Sequence, residues 1–291
     1  MSRLSTVFLS TLELIRLSNQ PDTVRRNGPS MKSDSTSDPP KYQQSLVSFI
    51  DVLGFRNLVS RATVPQIIDV LRGKERLTSH WGHGFPMEPW DGTTFTFSDL
   101  IVNVTSLREP YPLYGLFEEF TTLGFRQLML ATQGIFVRGG IVFEDIYVDG
   151  RMIFGPALIK AYDLEKTTAK WPILAFDPDL VQCIDLMSAQ HLANREKEGN
   201  EGLILGTAFL MQLRALISRT KEGVHFLDYL SCAAYMDSTT GDMRHYLKDH
   251  RDSLLAAPRK HGHWKYPFLA AYHDCRKYFS SGPDLIVGEL S

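Results

Sequence analysis

From Ser45 onward the chain alternates apolar runs with short polar breaks. SLVSFIDVLGF, beginning at Ser45, reads as a buried strand that ends at Gly54, where the chain must turn. TVPQIIDVLRGKERL, from Thr63, sets a proline just after a candidate N-cap and follows it with Ile67, Ile68, Val70 and Leu71, which predicts a helix. Residues 79–92 read as loop. TTFTF and LIVNV flank Ser98-Asp99, the pattern of a hairpin with the aspartate at its tip. Between 112 and 131, Leu113, Leu116, Phe117, Phe120, Leu123 and Leu128 recur at helical intervals. IFVRGGIVF (135–143) then predicts a strand, DIYVDGRMIF a hairpin, PALIKAYDLEKTTA (156–169) a helix and PILAF (172–176) a further strand.

That order predicts an α+β fold, a mainly antiparallel sheet with helices on one face. From about residue 178 the pattern turns mainly helical, with PDLVQCIDLMSAQ, GTAFLMQLRALISRT, the 240–257 segment and WKYPFLAAYHDCRKYF as candidates. No shift of composition marks a linker there. The expected organisation is a flexible leader over 1–41, rich in Ser, Asp, Asn and Pro toward its end, a core over 42–177, and a helical C-terminal elaboration of the same domain over 178–291. Met31 is an alternative start within the leader.

Composition narrows the function. Lys and Arg number 31 against 33 Asp and Glu, which argues against a basic nucleic-acid-binding surface as the main business. Three widely spaced cysteines and no Cys-x-x-Cys argue against a disulfide framework or a cysteine zinc site, and fit a reducing cytoplasm. No apolar run approaches the roughly 20 residues of a membrane span. The N-terminal apolar stretch is broken by Glu13 and Arg16 and lacks a small-residue cleavage site, so a secretory signal is not expected.

The chemistry lies in two aspartates. Asp51 and Asp99 interrupt runs that ought to be buried, and a buried carboxylate is costly unless a cation compensates it. Neither run contains Arg or Lys except Arg56 at the edge, so a metal ion is the expected partner. Two carboxylates at the ends of adjacent strands can hold a pair of divalent cations, and Mn²⁺ or Mg²⁺ suits oxygen ligands shared with substrate phosphates. Gly54 and Phe55 open the next turn, where backbone N–H groups could cradle a triphosphate.

Phe49-Ile50-Asp51-Val52-Leu53-Gly54-Phe55 resembles the F-x-D-[IV]-x-G-F opening of class III nucleotidyl cyclases, and Asp99 matches their second metal aspartate. VRGGIVFEDIYVDG and GPALIKAYDLEKTTAKWP resemble the variant seen in the pyrimidine cyclases of Pycsar anti-phage systems, as do FLDYL (226–230) and FLAAYHD (268–274) in the tail. The resemblance implies the ferredoxin-like, palm-type cyclase fold and a homodimer with two composite sites. It implies that Asp51 and Asp99 hold two Mn²⁺ or Mg²⁺ ions, with the Val52 carbonyl completing one shell. Phe49, Gly54 and Phe55 would lie at the nucleotide. The 3′-hydroxyl of a bound nucleoside triphosphate would attack its own α-phosphate and release pyrophosphate, and the product would act on a separate receptor protein in anti-phage defence, with no nucleic acid or membrane involved.

Four positions depart from the purine cyclases. Phe95 stands where a lysine reads adenine, Pro156 replaces the base-reading acid, Ile159 the asparagine and Asp163 the transition-state arginine. Phe95 is thus placed in the base pocket and a pyrimidine is expected, UTP favoured over CTP by the subfamily likeness. Arg138, just before Gly139-Gly140, is the candidate replacement cation, since an arginine suits diffuse phosphate charge. Lys160 and Lys166 read as solvated helix residues.

Other constellations are weaker. His80-x-x-His83 and His261-x-His263 have zinc-compatible spacing but read as loop histidines, and Ser98 lacks a nucleophile-elbow context. There is no Walker A sequence or dinucleotide fingerprint. The rival readings are another two-metal phosphoryl-transfer enzyme and a catalytically silent nucleotide-binding regulator. A diguanylate-type enzyme should carry GG[DE]EF where this chain has TFSDL, and a nuclease should carry a basic groove.

Overall fold

The computed structural model describes residues 40–72, 92–107, 112–150, 152–193, 207, 210–232, 243–256, 265–275 and 287. The leader before Pro40 and the loops with His80, His83, His261 and His263 lie outside the described residues. The elements are β1 (Gln43–Val52), α1 (Phe55–Arg61), α2 (Val64–Arg72), β2 (Gly92–Phe97), β3 (Leu100–Thr105), α3 (Pro112–Thr132), β4 (Val137–Asp149), β5 (Met152–Phe154), α4 (Pro156–Thr167), β6 (Leu174–Phe176), α5 (Pro178–Ala193), β7 (Ile217–Arg219), β8 (His225–Leu227), α6 (Met243–Leu255) and α7 (Lys265–Cys275).

The strands make one α+β sheet in the order β2-β3-β1-β4-β6-β8-β7, with β5 paired to β4. All pairs are antiparallel except β4 with β6, joined by the α4 crossover. β1 lies between β3 and β4, and period-two alternation divides its side chains between two faces. Leu46, Ile50 and Val52 join Ile101, Ile141 and the α3 residues Leu116, Phe120 and Leu123 in the central core. Val47 and Phe49 join Val102, Val142 and the α4 residues Ala157 and Ala161 on the opposite face. Residues of α1, α2, α3 and α5 pack into the first cluster, so most of the helical layer covers one face as expected, and α4 crosses the other.

Two features of the tail go beyond its helical reading. Ile217–Arg219, expected within a helix, is β7, and Phe226 at the start of FLDYL lies in β8, so both segments extend the sheet. FLDYL and FLAAYHD also meet. Tyr272 donates to Asp228 Oδ1 at 2.6 Å and accepts from the Leu230 N–H at 3.0 Å, while Ser218 donates to Asp228 Oδ2 at 3.0 Å. His250 Nε2 is 2.9 Å from the Tyr229 hydroxyl, and His250 Nδ1 shares a 2.9 Å hydrogen bond with His273 Nδ1. Both imidazoles are buried. Buried polar groups so satisfied fix one arrangement of α6 and α7 against the sheet.

This network sets an acid limit on stability. Burial, and then the neighbouring His273, pushes His250 down to about 3. The unfolded chain takes up this proton near pH 6.5 while the folded chain does not, so stability is complete above that pH and falls as pH drops toward 3, by about 1.4 kcal/mol per unit. Urea unfolding at pH 7 and pH 5 should therefore show a loss of roughly 2 kcal/mol. The His250→Gln variant should lose that pH dependence, and an unchanged slope would contradict the assignment.

Candidate functional site

The end of β1 is held from both sides by main-chain bonds. The Val52 N–H donates to the Asp99 carbonyl at 3.0 Å, and the Leu53 N–H to the Phe136 carbonyl at 2.9 Å. Asp99 occupies the Ser98-Asp99 turn between β2 and β3, with Ser98 in the left-handed region at φ 58°. The two expected aspartates are thus neighbours, one at the end of a buried strand and the other at the adjoining hairpin tip. Gly54 follows at φ 78° and ψ 20°, and α1 starts behind it with no side-chain cap. A Cβ at Gly54 would meet nothing within 4 Å, so the glycine answers to the backbone turn rather than to crowding, and the approach is open.

Asp51 faces the α4 side of the sheet, in register with Leu100 on β3 and Arg138 on β4. Arg138 Nε donates to Asp51 Oδ2 at 3.2 Å. A cationic partner for Asp51, which neither aspartate run contains, thus comes from a strand 87 residues away in sequence. The same Nε is 2.7 Å from Oε1 of Glu165 on α4, yet its single hydrogen points at Asp51, and Glu165 Oε1 has no hydrogen-bond partner. Glu165 is the more deeply buried carboxylate, its side chain 7% exposed against 18% for Asp51 and 32% for Arg138.

Burial pushes the Asp51 carboxyl above its ordinary range; the Arg138 hydrogen bond and charge oppose this, and the Asp99 charge adds to it. Burial likewise raises Glu165, opposed by Arg138 and reinforced by Asp51. Two carboxylates, Asp51 and Glu165, therefore share one guanidinium, and the Asp99 charge acts on Asp51 as well, a local excess of negative charge on oxygen donors. That donor set fits a hard divalent cation whose remaining positions are taken by water or phosphate oxygen. Among the described residues, no group of three or more His, Cys, Asp and Glu is arranged to hold a metal by itself.

The other expected residues are placed unevenly. Phe49 is buried and packs edge-to-face on Tyr162 at 5.7 Å between centroids. Phe55 packs against the central core. Both therefore offer a ligand their backbone more than their rings. Phe95 lies on β2 opposite Val102, partly buried on the Asp51 side of the sheet. Pro156 is the first residue of α4, while Ile159 and Asp163 are exposed on that helix. Lys160, expected to be solvated, forms an ion pair with Asp177 at 2.6 Å and donates a hydrogen bond to Asp179 at 2.7 Å, and Lys166 lies over the Tyr162 ring at 5.6 Å.

Glu165 was not among the expected residues, although the sequence carries a signal for it. Ala157, Ala161 and Glu165 follow at intervals of four and form the buried stripe of α4. A carboxylate continuing a stripe of alanines needs a partner inside.

No protein-family model matches the chain, and no curated protein matches it. Solved structures do match. One, described as the crystal structure of the guanylyl cyclase Cya2, is similar over 49% of this chain and 79% of that one, with a TM-score of 0.33 and 13% sequence identity. A likeness of that size leaves the functional reading to the site itself. Among the described residues, no helix is long and apolar enough to cross a membrane.

Proposed function

We propose that this protein is a nucleotidyl cyclase that converts a pyrimidine nucleoside triphosphate, UTP in preference to CTP, into the 3′,5′-cyclic monophosphate and pyrophosphate. The observation that carries the reading is the pairing of Asp51 with Asp99 at a strand end and an adjoining hairpin tip, locked by the Val52–Asp99 main-chain bond. Asp51 and Asp99, with the Val52 carbonyl, would hold two Mn²⁺ or Mg²⁺ ions. Such ions lower the pKa of a bound hydroxyl and neutralise phosphate charge.

The chain's own residues supply the rest. Backbone groups at Gly54 and Phe55 hold the triphosphate against the open side of the turn. Arg138 lies beside Asp51 and meets the charge that builds on the phosphate oxygens. The 3′-oxygen forms its bond to the α-phosphorus as the bond to pyrophosphate breaks, and the hydroxyl proton leaves to solvent. Because nucleophile and electrophile belong to one molecule, holding the ribose over its own phosphate supplies much of the rate. Phe95, an apolar ring at the purine-reading position, offers no adenine-specific contact, and this supports the pyrimidine.

The same face carries exposed apolar side chains. Phe97, 80% exposed, is in register with Leu100 and through it with Asp51, and Ile159 and Tyr162 are exposed on α4. We assign this face to a homodimer whose second copy completes each site, in the cytoplasm, with the cyclic nucleotide read by a separate receptor in anti-phage defence. The test is incubation of the full chain with UTP, CTP, ATP or GTP and Mn²⁺ or Mg²⁺, with products identified by mass spectrometry. Cyclic UMP is the expected product. Cyclic AMP or cyclic GMP would overturn the pyrimidine reading, and nucleotide binding without turnover would make the protein a silent regulator.

A further inference from the structure

Arg138 sits between two carboxylates, and its single Nε–H can bond only one of them. Its Nε–H points at Asp51 Oδ2 at 3.2 Å, while Glu165 Oε1 is nearer, at 2.7 Å, and accepts no hydrogen bond. This arrangement depends on the close approach of α4 to β4. Gly140 permits it, since a Cβ there would lie 2.5 Å from the Ala161 carbonyl oxygen. Ala161 is one helical turn before Glu165, so the contact that needs the glycine also sets the reach of the glutamate.

A divalent ion at Asp51 and the guanidinium hydrogen-bonded to Asp51 Oδ2 compete for the charge of one carboxylate. Expelling the arginine with nowhere to go would leave a partly buried cation without its partner, at a cost that weakens the ion's binding. We propose that Glu165 is a positioning residue that accepts Arg138 when a divalent cation takes Asp51, so that the guanidinium changes partner by a small reorientation instead of being left unpaired. In the cation-free protein Arg138 neutralises Asp51. With the cation bound, the Glu165–Arg138 pair keeps the guanidinium beside the site, where it can meet phosphate charge. This inference rests on the reading of Asp51 as a cation ligand.

The test titrates Mn²⁺ alone into the full chain and follows free Mn²⁺ by electron paramagnetic resonance, with thermal unfolding to verify folding. Glu165→Gln keeps the shape and removes the charge, and is expected to weaken Mn²⁺ binding about tenfold. Arg138→Gln removes the competitor and is expected to tighten binding roughly tenfold over the parent, a gain that misfolding cannot mimic. In the double variant, Glu165→Gln should have no further effect. If it weakens binding equally with and without Arg138, Glu165 acts as a distant charge and the exchange is overturned. Equal or weaker binding by Arg138→Gln overturns it as well. Asp51→Asn separates the two readings. If it abolishes Mn²⁺ binding while Glu165→Gln leaves binding unchanged, the exchange fails and the cation site stands. If it leaves Mn²⁺ binding untouched, the cation reading fails and the exchange with it.

Discussion

Asp99→Asn should lower the rate of cyclic nucleotide formation by about 10³-fold or more, with folding preserved. The substitution keeps the size of the side chain and removes the charge that holds a divalent ion. It leaves the fold alone because the structural role of position 99 belongs to its main chain: its carbonyl accepts the Val52 N–H, and the side chain lies at a partly exposed hairpin tip. Changes at such positions usually alter stability by less than about 0.5 kcal/mol. Product formation and urea midpoints measured on one preparation decide the matter. A variant that is stable and inactive fits the proposed role, whereas one retaining a tenth of the parent rate would move the chemistry away from Asp99.

The aspartate pair was legible because it needs only local signals. Each aspartate breaks an apolar run, and the strand, turn and hairpin assignments depend on patterns a few residues long. The register of Asp51 opposite Arg138 joins residues 87 apart, and no local pattern sets which residue of β4 faces which residue of β1. Asp51, for which a metal is the expected partner, therefore already has a protein cation beside it. Arg138 is a candidate replacement cation from its position before two glycines, but its pairing with Asp51 is visible only in the folded sheet.

The tail is less legible, for a related reason. β7 and β8 are three residues each, too short for alternation to show, and their pairing is supplied by β6 and by the Asp228 hydrogen bonds. Glu165 falls between these cases. Its buried stripe could be read from the helical period, but the partner that explains it could not.

Gly140→Ala should destabilise the protein by about 3 kcal/mol. One methyl group at this position would meet the Ala161 carbonyl oxygen at 2.5 Å and Leu164 Cβ at 2.9 Å. Neither atom is the free end of a flexible side chain, so relief requires α4 to move off the sheet. That movement would loosen the packing of Ala157 and Ala161 on Val47, Phe49 and Val142. It would also draw Glu165 away from Arg138, because both contacts ride on one helix. A shift in the urea midpoint at constant slope would report the lost packing. Mn²⁺ affinity, measured well below the transition, should fall in the same direction as in Glu165→Gln. A stable Gly140→Ala protein with parental Mn²⁺ affinity would mean that α4 does not lie this close to β4, and the carboxylate–guanidinium geometry built on that approach would fall with it.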